Sequence, residues 1–205
     1  LDLPRLTRGK AQLKSERLDL ARLVRDAVGD RRGPFADAGV ALAVELPAGP
    51  ADTSGDPARL AQVLGNLVGN ALKFTDRGGE VRVRLSADPD RRVAVLSVRD
   101  TGVGIDPAVL PRVFEPFVQA DRTVERSRGG LGLGLALVKG IVELHGGSVR
   151  AASAGPGLGS EFVVELPLID RPAADAPAAP AAAAPATARR VLVIEDNADA
   201  ADSLQ

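Results

Sequence analysis

Residues 56–74 constrain the fold more than any other stretch. Leu60, Val63, Leu64, Leu67, Val68, Ala71 and Leu72 recur at helical spacing and trace one apolar stripe. Asp56 is suited to cap this helix and Pro57 to open it, because a first-turn residue needs no N–H partner. Immediately downstream the period changes. Asp76-Arg77-Gly78-Gly79 reads as a turn, and Val81, Val83 and Leu85 then alternate with Arg82 and Arg84. Asp88-Pro89-Asp90 is a second turn, followed by the more continuous apolar run Val93 to Val98. A helix with one apolar stripe and a sheet with one apolar face must bury each other. The predicted fold class is therefore α/β, a two-layer sandwich of a mixed β-sheet with helices on one face. Leu20 to Phe35 adds a helical pattern, Val40 to Leu46 a strand, and Leu133 to Leu144 a helix ended by Gly146-Gly147. Val149 to Ala152 and Glu161 to Leu166 read as strands joined by a glycine-rich turn.

The chain divides into four zones. Residues 1–17 are charged, with leucines at Leu1, Leu3, Leu6 and Leu13, and read as a helix end running into a loop. Residues 18–169 hold the core. Residues 170–188 are almost all Ala and Pro, cannot bury a core, and read as a semi-rigid linker. Residues 189–205 open with the strand-like Val191-Leu192-Val193-Ile194 and turn acidic at Glu195-Asp196. There is no Met, so the chain is expected to be a piece of a longer protein. With no Cys, disulfides and thiolate metal sites are excluded. A net charge of −1 gives no basic field for nucleic acid, and 2% aromatic residues, all Phe, leave no base-stacking surface. No apolar run spans a bilayer and no signal peptide opens the chain; a cytoplasmic location is expected, with membrane anchoring of the parent protein left open.

Three patterns carry chemistry, and each alone has a plain structural alternative. Asn66, Asn70 and Lys73 share one face of the helix from Asp56, since spacings of four and three stay together. An amide oxygen suits Mg²⁺ and a lysine suits phosphate; the same residues would also serve as a solvated polar face. Asp100-Thr101-Gly102-Val103-Gly104-Ile105 leaves a buried strand. Its carboxylate could accept from an exocyclic amine and its glycines admit a planar base, or the segment is a structural turn. Gly129-Gly130-Leu131-Gly132-Leu133-Gly134-Leu135 opens the helix ending near Leu144. Amides at a helix N-terminus favour phosphate, and a glycine loop can also be merely flexible. Arg122, Arg126 and Arg128 precede it and could reach a polyphosphate. Phe114 and Phe117 of Phe114-Glu115-Pro116-Phe117 are expected to anchor the loop, and Gly157-Leu158-Gly159-Ser160 to form a turn near any ligand.

In order and spacing together, these segments resemble the catalytic and ATP-binding domain of sensor histidine kinases. NLVGNALKFT from Asn66 is similar to that family's N box, DTGVGI from Asp100 to its G1 box and FEPF from Phe114 to its F box. GGLGLGLALVK from Gly129 is similar to the G2 box, and VELHGG from Val142 and GLGSEF from Gly157 to the closing stretch. The resemblance implies the histidine kinase-type ATPase fold, with ATP and Mg²⁺ as ligands. It implies that Asp100 binds the adenine amine, that Asn70 holds Mg²⁺, and that Asn66 and Lys73 face the phosphates and carry the catalytic role. Gly102, Gly104, Ile105, Gly130, Leu131, Gly132, Leu133 and Gly134 would shape the pocket and its lid.

Related ATPases carry a carboxylate where this chain has Asn66, which cannot take a proton from water. The implied chemistry is positioning of a phosphoryl group for an outside nucleophile. That nucleophile would be a histidine on a dimerisation domain of the parent protein, since His145, the only histidine, sits at a helix end and is expected to cap or pack. The first residues resemble the end of a dimerisation helix and the last a receiver domain's opening, the order of a hybrid kinase. A response regulator or receiver is the implied next partner, with the fragment monomeric and its parent dimeric. Leu131 and Gln119 depart from relatives that carry Thr and Arg there. The alternatives are a degenerate nucleotide sensor and a scaffold module.

Overall fold

The computed structural model describes residues 13–118 and 131–170. Its central sheet follows from alternation. Strand β2 (Ala41–Glu45) pairs in parallel with β4 (Glu80–Asp88), which pairs antiparallel with β5 (Val93–Asp100). β7 (Ser160–Pro167) lies antiparallel to both β5 and β6 (Ser148–Ala152), giving the order β2-β4-β5-β7-β6. Val81, Val83, Leu85, Leu96, Val98, Phe162 and Val164 point to one face and are buried, whereas Arg82, Arg84 and Arg99 point away and are exposed.

The covered face meets helices α1 (Leu20–Gly29), α2 (Arg32–Ala38), α3 (Pro57–Phe74) and α4 (Gly134–Leu144), whose inward residues join one core cluster with the strands. α3 is the centre of that layer. Leu60, Val63, Leu64, Leu67, Val68 and Ala71 are buried as the stripe predicts. Burying a side chain of Leu67's size contributes about 1.5–3 kcal/mol. At its start Asp56 accepts the Arg59 N–H at 3.1 Å, and Pro57 holds the first position. α4 ends as Gly146 (φ 70°) donates to Glu143 O and Gly147 to Val142 O, both at 3.0 Å, the paired bonds of a Schellman cap.

Two features depart from the sequence reading. The helical pattern at 20–35 is two helices broken at Asp30–Arg31. Pro34 has no N–H to give the Asp30 carbonyl, so a continuous helix cannot pass; in the first turn of α2 the same proline is tolerated. The N-terminal zone was expected to be a helix end and loop, yet β1 (Glu16–Asp19) is a strand paired antiparallel with β3 (Asp52–Gly55). Of the first zone, residues 1–12 lie outside the described residues, as do 171–205 with the linker and the acidic Glu195-Asp196. Among the described residues no helix is long and apolar enough to cross a membrane.

Candidate functional site

Three stretches far apart in sequence converge on the second half of α3. The first is α3's own polar face, where Asn66, Asn70 and Lys73 are all half-buried. Asn66 Nδ2 donates to the Gln62 carbonyl at 2.9 Å, so its Oδ1 is left to face outward. That oxygen meets the start of α4. A Cβ built on Gly134 would lie 3.0 Å from Asn66 Oδ1, closer than side chains normally approach. A side chain at Gly134 would therefore make Asn66 give way by a few tenths of an ångström. Lys73 Nζ lies 4.5 Å from the centroid of the Phe74 ring, a cation–π contact at the same end of the helix.

The second stretch is the exit of β5. Asp100 is 5% exposed, and its carboxylate is held on two sides. Oδ1 accepts the N–H of Gly102 at 2.9 Å and of Ser160 at 3.2 Å, and Oδ2 accepts the Ser160 hydroxyl at 2.6 Å. An ionised carboxylate oxygen can accept twice, so Oδ2 retains capacity for one more donor. The loop that follows is clamped from both flanks. Val103 N–H donates to the Phe74 carbonyl at 3.0 Å, which ties the loop to the end of α3. On the other flank Gly159 N–H donates to Gly102 O and Gly157 N–H to Val103 O. A Cβ at Gly102 would overlap the Phe74 carbonyl, and one at Gly104 (φ 71°) the Gly155 carbonyl. Ile105 is buried, and its N–H donates to Ser153 Oγ at 3.0 Å.

The third stretch leads into α4. Gly132 has φ 66° and accepts the Phe117 N–H at 3.0 Å. The Leu133 side chain makes no capping bond, so among the described residues the first-turn amides of α4 are placed to favour an anion. Leu131 is 70% exposed. Gly130 lies outside the described residues, as do Gly129, Gln119, Arg122, Arg126 and Arg128. Of the two phenylalanines expected to anchor the loop, only Phe114 does so, edge-on to Phe162 with centroids 6.2 Å apart. Phe117 is 73% exposed with φ 65°, so its expected anchoring role is corrected. The left-handed turn that lets its amide reach Gly132 directs the ring outward.

The sequence placed Ser160 only in a turn near any ligand, without a role for its hydroxyl, and did not single out Ser153. Ser160 stands opposite Asp100 in the β5–β7 register, and only that pairing reveals a hydroxyl aimed at the carboxylate. Among the described residues, no group of three or more His, Cys, Asp or Glu could hold a metal on protein ligands alone. The polar face offers amide oxygens, a donor set that fits a hard cation held chiefly by phosphates and water.

Residues 55–170 match the family described as histidine kinase-, DNA gyrase B- and HSP90-like ATPase. The chain belongs to this family. It is 35% identical over 203 residues to the circadian input-output histidine kinase CikA of Synechococcus elongatus, covering 98% of this chain and 26% of that protein. The chain thus spans about a quarter of that relative's length. The mycobacterial sensor histidine kinase MprB superposes with a TM-score of 0.66 at 33% identity, over 75% of this chain and 98% of that one. Full-length ShkA, solved in complex with AMPPNP, gives 0.69 at 32% identity, over 81% of this chain and 34% of that one. Fold and family agree that this is the ATP-binding catalytic domain of a sensor histidine kinase of two-component signalling.

Proposed function

We propose that this domain binds Mg-ATP along the second half of α3 and delivers the γ-phosphoryl group to a histidine on a dimerisation domain of its parent protein. The acceptor imidazole nitrogen attacks phosphorus, the bond to the bridging oxygen breaks, and ADP leaves. A response regulator or receiver then takes the phosphoryl group. In this reading Asp100 Oδ2 accepts the adenine amine, and Gly102, Gly104 and Ile105 leave a slot for the ring. Asn70 holds Mg²⁺, which would neutralise phosphate charge, while Asn66 and Lys73 orient the phosphates. Leu131, Gly132, Leu133 and Gly134 line the phosphate end, where the first-turn amides of α4 favour negative charge.

The observation that carries the reading is Asn66. The face formed by Gln62, Asn66, Asn70 and Lys73 has neither a carboxylate nor an imidazole to take a proton from water. It can orient and stabilise a phosphoryl group, which is what transfer to an outside nucleophile requires. The assignments of residues 1–17 to a dimerisation helix and connector, 170–188 to a linker and 189–205 to a receiver's start belong to this proposal.

The test is calorimetric titration of a non-hydrolysable ATP analogue, with and without Mg²⁺, into the chain and its Asp100→Asn variant. Saturable, Mg²⁺-assisted binding is expected, lost in the variant. Phosphotransfer to a separately supplied dimerisation domain then decides between kinase and nucleotide sensor. A folded wild-type chain that binds no nucleotide overturns the proposal.

A further inference from the structure

α3 and α4 pack along their shared length, and two close approaches mark the ends of that packing, the second far from the nucleotide site. At one end Asn66 Oδ1 faces Gly134, the first residue of α4. At the other, Asp56, the cap of α3, donates its backbone N–H to His145 Nε2 at 3.0 Å. His145 is the cap residue at the end of α4 and is buried, at 9% exposure. Its Nδ1 lies 2.7 Å from the Ile141 carbonyl. Nε2 must accept from an N–H and Nδ1 must donate to a carbonyl, so the ring is the neutral Nδ1–H tautomer. Both nitrogens are committed, one to each helix.

The ring cannot slide. A Cβ on Gly55 would lie 2.7 Å from His145 Cδ2 and 3.0 Å from Nε2, so the imidazole is pressed against a backbone that only glycine leaves open. The Schellman cap at Gly146 and Gly147 fixes the chain just beyond it, and a Cβ at Gly147 would overlap the Glu165 carbonyl of β7. From Asp56 to Asn66 is ten residues of α3, and from Gly134 to His145 eleven of α4, which at helical rise are about 15 and 16 Å. The helices therefore run antiparallel, with apolar packing between them and these two approaches at the ends. One contact is a close packing against a glycine, which sets distance but resists sliding weakly. The directional bond is at His145.

We infer that His145 is a positioning residue. Its bond to the Asp56 amide sets the axial register of α4 against α3, and with it the place of α4's first-turn amides relative to Asn66 and Asn70. The inference rests on the proposed phosphate site at that end. A half-turn slip would carry Gly134 away from Asn66 while leaving Asp100 and its glycine clamp, which belong to the sheet, where they are. Register would thus be felt by the phosphates and not by the base.

Three variants of the whole chain test this. His145→Asn keeps a polar atom near Nδ1 and loses the acceptor for Asp56. His145→Gln restores an acceptor near Nε2. His145→Leu removes both, and if it does not fold the first two still decide. Affinity for a non-hydrolysable ATP analogue would be set against affinity for adenosine, followed by the amide resonances of Gly102 and Gly104. Misplacement by about 1 Å at an oriented site can cost as much as a hundredfold, and about a tenfold loss for the ATP analogue is expected in His145→Asn. Adenosine affinity should stay near wild type, and His145→Gln should recover most of the loss. Equal behaviour of the Asn and Gln variants, or equal loss for both ligands, overturns the inference. The nucleotide-free resonances of Gly134 and the Asn66 side-chain amide separate it from the functional proposal. They should shift in His145→Asn and return in His145→Gln even if the wild type binds no nucleotide. No shift at Gly134 overturns the register itself.

Discussion

Ser160 decides how Asp100 is held. A buried carboxylate that keeps its charge needs donors, and three reach it: two backbone amides and the Ser160 hydroxyl at 2.6 Å. Among the described residues the hydroxyl is the one donor to Oδ2, the oxygen proposed to take the adenine amine. In Ser160→Ala the fold should survive, because β7 keeps its backbone pairing and the Ser160 N–H still donates to Oδ1. Removing a hydrogen bond to a charged group costs about 1.5–3 kcal/mol in a buried setting, so denaturant midpoints should fall by a corresponding amount. Without its partner the Oδ2 edge is free to rotate, and nucleotide affinity should fall about tenfold or more by the same energy. Calorimetry and urea unfolding of the one variant read both. An unchanged affinity would mean that Oδ2 does not recognise the base. Asp100 itself was legible in sequence, as a carboxylate leaving an apolar strand before two glycines. Ser160 was legible only as part of a turn near any ligand; its bond to Asp100 was not, because sixty residues separate the two and only the β5–β7 register places them opposite each other.

At the scale of the element, α3 was the most legible part of the chain and also holds the clearest titration. Burial would raise the Asp56 carboxyl's pKa, but the backbone N–H groups of Arg59, Lys14 and Ala58 and the charge of Arg59 outweigh it and hold it below the usual carboxylate range. A group depressed in the folded state contributes stability above its unfolded pKa, near 3.9, and loses it as pH falls through the lower folded value. Asp56→Asn keeps a good cap and removes the charge. The variant should therefore be less stable than wild type at neutral pH by about 0.5 kcal/mol, given solvent screening, and the difference should close in acid, as pH falls from the unfolded pKa through the lower folded one. Urea unfolding at neutral and acid pH checks it; a gap that widens in acid contradicts the sign. Capping, the apolar stripe and the polar face of α3 could be read because all three are local. The break between α1 and α2 was also local, in Pro34, yet the apolar spacing runs across it and masked it. His145 could be read as a cap and not as a link, because its second partner lies eighty-nine residues away.

At the scale of the whole molecule, the least legible element is the one that ties the unit's beginning to its end. β1 is four residues, ERLD, with no apolar alternation. It is a strand only because β3 is there to pair with it, at Glu16↔Gly55 through Asp19↔Asp52. β1 and the Lys14 backbone just before it then reach three places. Arg17 Nη2 bridges the buried Asp52 at 2.8 Å and donates to the Asp170 carbonyl at 3.0 Å, the last described residue beyond β7. Asp19 caps α1 through the Ala21 N–H, and Lys14 N–H reaches the Asp56 cap of α3. The exit is held from its own side as well, by Ile169 N–H to Asp52 O and Arg92 to the Asp170 carboxylate. Entry strand, helix caps and exit thus form one junction. Cutting the chain to begin at Leu20 would keep every helix and all five strands of the main sheet, yet it removes all the contacts made by β1. Several hydrogen bonds at about 1 kcal/mol each, one of them to a buried charge, predict a loss of about 2–4 kcal/mol. Arg17→Met in the intact chain should show a smaller part of it, since pairing with β3 remains. The measurement is urea unfolding of the three proteins with amide exchange at Thr53 and Gly55. Exchange should rise sharply in the truncation and modestly in Arg17→Met. A truncated chain as stable and as protected as the full one would mean that β1 rests on the domain without supporting it.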